Sequence, residues 1–177
     1  GGVWLASGAI AVNLGDGDNA ATFGNTVTGS EIGITTGLGT DYLTALAAWR
    51  STAGNVTVAM GNGANTIDVR AAVTAATGLS VTTGSGLDSL TSVGSLTAGG
   101  ALAISLGDGD NTALLNGALN GGTISFTTLG GEDSLTTGGV WLASGAIAVN
   151  LGDGDNAATF GNTVTGSEIG ITTGLGT

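Results

Sequence analysis

The residues best suited to chemistry in this sequence are carboxylates that follow closely spaced glycines in a recurring G-x-G-x-[DN] motif. Oxygen ligands that converge from neighbouring turns are the ligands that Ca²⁺ takes in proteins. The motif therefore predicts calcium sites, with uneven occupancy because the copies around Asn62 and Ser85 lack most of the acids. The predicted ligands are the acids of the first copy and of the densest cluster, namely Asp16, Asp18, Asp41, Asp108, Asp110, Glu132, Asp133, Asp153 and Asp155.

The last position of the motif also supports a purely structural interpretation. It alternates strictly between amide and carboxylate, at Asn19, Asp41, Asn65, Asp88, Asn111, Asp133 and Asn156. If the copies stack one inter-strand spacing apart, ~4.8 Å, carboxylates in adjacent copies would repel each other strongly. An amide between every two carboxylates removes that repulsion and offers them N–H donors. An Asn/Asp ladder and calcium binding are thus alternative interpretations of the same residues.

The remaining composition argues against an enzyme and against several classes of partner. The chain has no histidine, lysine or cysteine, and its carboxylates lie in a motif that recurs, whereas an active site is normally a single departure from a repeat. A net charge of −11 with only two arginines leaves nothing to neutralise a nucleic-acid backbone. Without a sufficiently long apolar run, the chain is not expected to insert into a membrane.

The chain contains a long repeat and, within it, a shorter repeat that carries one of these turns in each copy. Residues 138–177 are identical to residues 1–40, so residues 1–137 form one full repeat unit and residues 138–177 begin the next. Each unit contains six shorter copies spaced by 22 to 24 residues. We expect one continuous structure, and we expect the chain to be a window cut from a longer array.

Three positions keep a fixed spacing in every short copy, and length variation falls between the third position and the next copy. The first begins an alternating apolar strand at Ile10, Ile32, Val56, Leu79, Leu102 and Ile124. The third, which includes Trp4, Trp49 and Trp141, is expected to lie in the core. Period-two alternation with one tolerant corner predicts an all-β fold, a parallel β-solenoid with about 23 residues per coil. A 46-residue coil with two opposed turns is the competing geometry.

The turn strings resemble the haemolysin-type RTX calcium-binding repeat. The segments GLGTDYL (37–43) and GSGLDSL (84–90) fit the core of its nonapeptide, and GGEDSL (130–135) fits in shortened form. RTX turns recur every nine residues, whereas these recur about every 23, so the RTX calcium geometry is not carried over whole. The Gly, Thr, Ala and Asp content also resembles bacterial β-strand-repeat surface proteins. Both resemblances imply an extracellular or cell-surface location.

Together these features favour a structural protein. The expected function is a segment of an extracellular filament, surface layer or adhesin stalk that assembles with copies of itself by coil-on-coil stacking, because first and last coils share one sequence and no capping repeat is visible. The alternative is a calcium-folded RTX-type module of a secreted toxin, enzyme or adhesin. Small side chains beside the first strand also suggest lateral packing between solenoids.

Overall fold

The protein folds as a parallel β-solenoid. A computed structural model describes residues 2–176, which form 23 short strands and no helix. All pairings between named strands are parallel, and the strands are arranged in three sheets that run along the solenoid axis. The chain visits the first, second and third sheets in turn, so that three strands make one coil of about 23 residues.

The strands are numbered β1 to β23 in chain order. The first sheet contains β2 (Ile10–Asn13), β5 (Ile32–Thr35), β8 (Val56–Ala59), β11 (Leu79–Thr82), β14 (Ala101–Ser105), β17 (Thr123–Thr127), β20 (Ala146–Asn150) and β23 (Glu168–Thr172). The second contains β3 (Ala20–Phe23), β6 (Tyr42–Ala45), β9 (Thr66–Val69), β12 (Ser89–Ser92), β15 (Thr112–Leu115), β18 (Ser134–Thr137) and β21 (Ala157–Phe160). The third contains β1 (Trp4–Leu5), β4 (Val27–Gly29), β7 (Trp49–Ser51), β10 (Val73–Ala75), β13 (Leu96–Ala98), β16 (Leu119–Gly121), β19 (Trp141–Ala143) and β22 (Val164–Thr165). Coils are numbered 1 to 7 from the first-sheet strands β2 to β20.

The strand register confirms the 23-residue coil. Ile10 lies beside Ile32, and Ile32 lies beside Val56. The 46-residue alternative would instead have placed Ile10 beside Val56. The alternating pattern explains the register, because a slip of one residue would turn each inward side chain to solvent.

The core is a stack of apolar columns, one side chain from each coil. Trp49 and Trp141 lie in it as predicted, with 2% and 0% of their surface exposed, whereas Trp4 is 47% exposed. Trp4 and Trp141 occupy the same position of the long repeat, and only Trp141 is covered, by Leu119 of the preceding coil. Phe23 contacts Trp4 and Trp49 edge-on, with ring centroids 5.5 and 5.0 Å apart.

One small void interrupts this packing near the third coil. It measures about 20 Å³ and is lined by apolar side chains that include Trp49, Val58, Val69 and Val73. The neighbouring coils carry the larger Leu96 and its successors in the Val73 column. The void thus lies beside Val73, which is shorter than its two column neighbours, Trp49 and Leu96.

The corner between the third and first sheets accommodates the length variation, as predicted. Two residues, Ser30 and Glu31, separate β4 from β5, whereas residues 52–55 separate β7 from β8. The segment LTALAAWR (43–50) is not a helix, since β6 ends at Ala45 and β7 begins at Trp49. Its two ends lie in separate strands, with a corner between them.

Candidate functional site

The candidate site is the column of G-x-G-x-[DN] turns that joins the first sheet to the second sheet in each coil. Successive turns are joined by backbone hydrogen bonds, such as Gly17 N–H to the Leu38 carbonyl (2.6 Å) and Gly39 N–H to the Asn62 carbonyl (3.0 Å). Gly39 has a φ of 136°, which side-chain-bearing residues rarely adopt. A Cβ on Gly39 would also meet the Gly17 carbonyl. Glycine thus lets the turns stack like the strands.

Seven acids in this column are exposed, and Asp16, Asp18, Asp110 and Asp153 bind the backbone of the next turn. Asp16 and Asp18 each accept a backbone N–H through Oδ1, from Leu38 and Thr40 respectively, at 2.8 Å. In the later coils Asp110 accepts from Glu132 at 2.8 Å. Asp153 accepts in the same way from Leu175 at 2.9 Å. These carboxylates are exposed, and each one joins its own turn to the next through a hydrogen bond to the backbone.

The alternating Asn/Asp position points inward and is buried. Asp41, Asp88 and Asp133 have 0%, 2% and 2% of their surface exposed. Among residues 2–176, a backbone N–H at this position donates to Oδ1 of the next coil in five steps, Asn19 to Asp41 (2.9 Å), Asn65 to Asp88 (2.9 Å), Asp88 to Asn111 (3.1 Å), Asn111 to Asp133 (2.9 Å) and Asp133 to Asn156 (2.8 Å). The position therefore forms an axial ladder in which amide and carboxylate oxygens are both acceptors.

The asparagine amides have a different role from the predicted one. Asn19 Nδ2 donates to the carbonyls of Gly15 (3.1 Å) and Gly17 (2.6 Å) in its own turn, and Asn65 and Asn111 repeat this arrangement. The expectation that these amides donate to the carboxylates of the adjacent coils is therefore wrong. The carboxylates are bound by backbone N–H groups, while each amide closes its own turn.

The second oxygen of each buried aspartate differs from its amide counterpart. Oδ2 of Asp41, Asp88 and Asp133 is buried without a hydrogen-bond partner in the described part of the chain. The Oδ1 atom of Asn65, above Asp41, also lacks one. An unpartnered buried polar atom costs about 1–3 kcal/mol, and more when it carries charge. The Asp-bearing coils therefore carry an electrostatic strain that most Asn-bearing coils do not.

This strain is clearest at Asp88. Burial raises the pKa of Asp88 above its ordinary value, against the lowering effect of interactions with Thr83 and Asn65. The Thr83 hydroxyl lies 2.8 Å from the Leu106 carbonyl, to which it donates. Since a hydroxyl has one proton, Thr83 cannot also donate to Asp88 in that orientation. Oδ2 of Asp88 is therefore left without a donor.

The nine predicted metal ligands are divided by this geometry. Asp41 and Asp133 are buried, whereas the acids at positions 16, 18, 108, 110, 132, 153 and 155 are exposed. Within residues 2–176, no group of three or more acidic, histidine or cysteine side chains is placed to hold a metal ion. The acids thus do not converge as a calcium shell in this arrangement, and calcium binding stays a prediction.

A second alternating position accompanies the Asn/Asp position, and the sequence analysis of the turn motif did not identify it. The inward residue that follows each first-sheet strand is Thr36, Thr83 or Thr128 in the Asp coils. It is Leu14, Met60, Leu106 or Leu151 in the Asn coils. The signal was present in the sequence, because this residue always precedes the Asn/Asp position by five. Two kinds of coil therefore alternate along the axis.

Comparison with known proteins adds no family. The sequence matches no protein family model, no curated protein and no solved structure. Residues 2–176 also contain no helix long and apolar enough to cross a membrane. The functional argument therefore depends on the geometry of the solenoid.

Proposed function

We propose that this chain is a structural segment of an extracellular filament, surface layer or adhesin stalk, built by stacking coils along one axis. The observation that carries the proposal is continuity between repeat units. At the junction Ile124 lies beside Ile147 and Leu135 lies beside Ala158, in the register used inside the unit. A structure that adds identical units without changing register extends along a line.

The faces of the coils support the same proposal. Ile32 and Ile34 are 0% and 1% exposed, whereas Ile169 and Ile171, their equivalents in the second unit, are 47% and 50% exposed. The difference arises because coil 3 covers the first pair and no further coil covers the second. Each added coil therefore buries apolar surface, which is the main favourable contribution to folding and association.

The composition is compatible with such a filament. The chain has no proline, which suits a fold in which nearly every backbone N–H donates along the axis. Two arginines and no lysine leave few sites for trypsin-like proteases. The extracellular location rests on these properties and on the resemblance to secreted repeat proteins.

Electron microscopy of a chain of several uninterrupted 137-residue units tests the proposal. Six coils per unit predict thin, unbranched rods that lengthen by ~29 Å for each unit added. Particles whose length does not increase with the number of units would overturn it. A chain with its units in separate, flexibly linked particles would do the same.

A calcium-folded RTX-type module is the second candidate. It is favoured by the exposed carboxylates of Asp108, Asp110, Glu132 and Asp153, which lie on consecutive stacked turns. In that case calcium would screen repulsion between these turns and stabilise the fold by mass action. Loss of the folded state on chelation would favour this candidate over a metal-independent filament.

A further inference from the structure

The strongest unexplained feature of the solenoid is its strict two-coil period at the buried ladder. Hydrogen bonding alone does not require it, because Asn111 Oδ1 accepts the Asp88 N–H (3.1 Å) just as Asp133 Oδ1 accepts the Asn111 N–H (2.9 Å). Asparagine at every coil would complete the ladder. The alternation must therefore affect a property other than the axial hydrogen bond.

The second terminal atom of the side chain, Nδ2 in asparagine and Oδ2 in aspartate, provides that property. In an Asn coil the Nδ2 group is bound to its own turn, as in the 2.7 Å contact from Asn111 to the Gly109 carbonyl. In an Asp coil Oδ2 is buried and unpartnered, as in Asp88 and Asp133. A neutral side chain in the adjacent coil does not repel this carboxylate, whereas a second buried carboxylate one coil away would.

The number of coils in the repeat unit follows the same rule. Coil 6 carries Asp133 and coil 7, the first of the next unit, carries Asn156, and the two are joined by a 2.8 Å hydrogen bond. Six is even, so alternation continues through the junction. An odd number of coils would bring two like coils together at every junction in the array.

We propose that the axial face of each coil is selective, so that an Asp-bearing coil accepts only an Asn-bearing coil as its neighbour. This inference rests on the proposed function, because it specifies which partner continues the stack. The partner is another coil of this sequence, defined by a neutral side chain at the ladder position. The alternating threonine and leucine or methionine column reinforces the distinction between the two coil types.

Two deletions of equal length test the rule on the 177-residue chain. Removal of residues 56–78 deletes the coil of Asn65 and makes Asp41 the neighbour of Asp88. Removal of residues 79–101 deletes the coil of Asp88 and makes Asn65 the neighbour of Asn111. Both remove 23 residues and preserve the sheet columns, so they are matched controls for the loss of one coil. Removal of residues 56–101, a complete pair of coils, should preserve alternation.

The decisive comparison is the effect of Asp88→Asn in two backgrounds, measured as the equilibrium between folded and unfolded chain in urea. Moving Asp41 and Asp88 from two coils apart to one halves their separation, from ~9.6 to ~4.8 Å. At an effective dielectric constant of about 20, Coulomb's law then predicts how far Asp88→Asn raises the equilibrium constant between folded and unfolded chain. The factor by which it rises should be about 20-fold larger in the 56–78 deletion than in the full chain. The 56–78 deletion should also be less stable than the 79–101 deletion.

Each outcome decides the proposal. An equal gain from Asp88→Asn in the full chain and in the 56–78 deletion would overturn it. Failure of the 79–101 deletion to fold, together with failure of the 56–78 deletion to fold even with Asp88→Asn, would also overturn it. If the 56–78 deletion folds only with Asp88→Asn, the rule is supported. The test is separate from the proposed function, since it measures the stability of single chains. A lack of filaments from multi-unit chains would remove the proposed function and leave this difference in stability unchanged.

Discussion

The substitution Asp88→Asn offers a sharp test of the buried ladder, because it replaces an unpartnered carboxylate oxygen by an amide. Oδ1 of the new residue can still accept the N–H of Asn65, which now lies 2.9 Å from Asp88 Oδ1. Its Nδ2 group would occupy the position of the orphaned Oδ2. Relief of an unsatisfied buried group is expected to raise the free energy of unfolding at neutral pH by about 1–3 kcal/mol.

The gain should depend on pH with a definite sign. Burial raises the pKa of Asp88 above its ordinary value of 3.8, so over the interval between 3.8 and the folded-state value the folded chain holds a proton that the unfolded chain has released. Asp88 therefore lowers the free energy of unfolding as pH rises through this interval, by up to about 1.4 kcal/mol per pH unit. Above the folded-state pKa the loss is constant, and below 3.8 it is absent.

Urea unfolding followed by tryptophan fluorescence measures this effect. The difference in free energy of unfolding between Asp88→Asn and the parent chain should be small below pH 3.8 and should grow towards neutral pH. Asp110→Asn is the matched control, because Asp110 is an exposed carboxylate on the neighbouring turn. A difference that does not change with pH, or an Asp88→Asn chain that is less stable at neutral pH, would refute the account of the buried carboxyl.

Three further predictions concern the core, the turns and calcium. Val73→Leu should fill the 20 Å³ void and raise the free energy of unfolding by about 0.5 kcal/mol in urea, and a loss of stability would show that the void cannot accept a methylene group. Gly63→Ala should lower the free energy of unfolding by more than about 2 kcal/mol, because Gly63 has a φ of 132° and a Cβ there would meet the Gly39 carbonyl. Gly33→Ala is the control, because a Cβ at Gly33 meets open space and its φ is ordinary. Equal losses of stability in the two variants would contradict this reasoning. If calcium is bound, excess chelator should lower the melting temperature and Asp110→Asn should remove most of that sensitivity, whereas an unchanged melting curve would leave the ladder as sufficient explanation.

The spacing of residues predicted the coil, the register and the inward columns. Ile10, Ile32 and Val56 recur at steps close to 23 within an alternating pattern, which favoured the 23-residue coil over the 46-residue coil that the sequence also allowed. The tryptophan column was predictable for the same reason, because Trp49 shares its position with aliphatic residues of other coils. Repetition provides this information, since each copy constrains the others.

The chemistry of the turns was less predictable. The sequence shows that Asn19 and Asp41 occupy one column, but it does not show which atom of each faces the next coil. That depends on the backbone geometry of the turns, and here the Asn19 N–H donates to Asp41 Oδ1 while Asp41 Oδ2 has no partner. Residue types alone also could not separate the buried Asp133 from the exposed Asp110 and Glu132. The predicted calcium ligands, in the first copy and in the densest cluster alike, therefore lie in two different environments in the fold.

X-ray diffraction from aligned fibres of a multi-unit chain tests most directly the claim that the coils stack continuously into a filament. The strands lie across the axis, so a strong meridional reflection is expected at ~4.8 Å, the spacing between adjacent coils. Six coils per unit predict an additional axial repeat of ~29 Å. A pattern with neither spacing along the fibre axis would contradict the account, because it would mean that the repeat units do not continue one another's sheets.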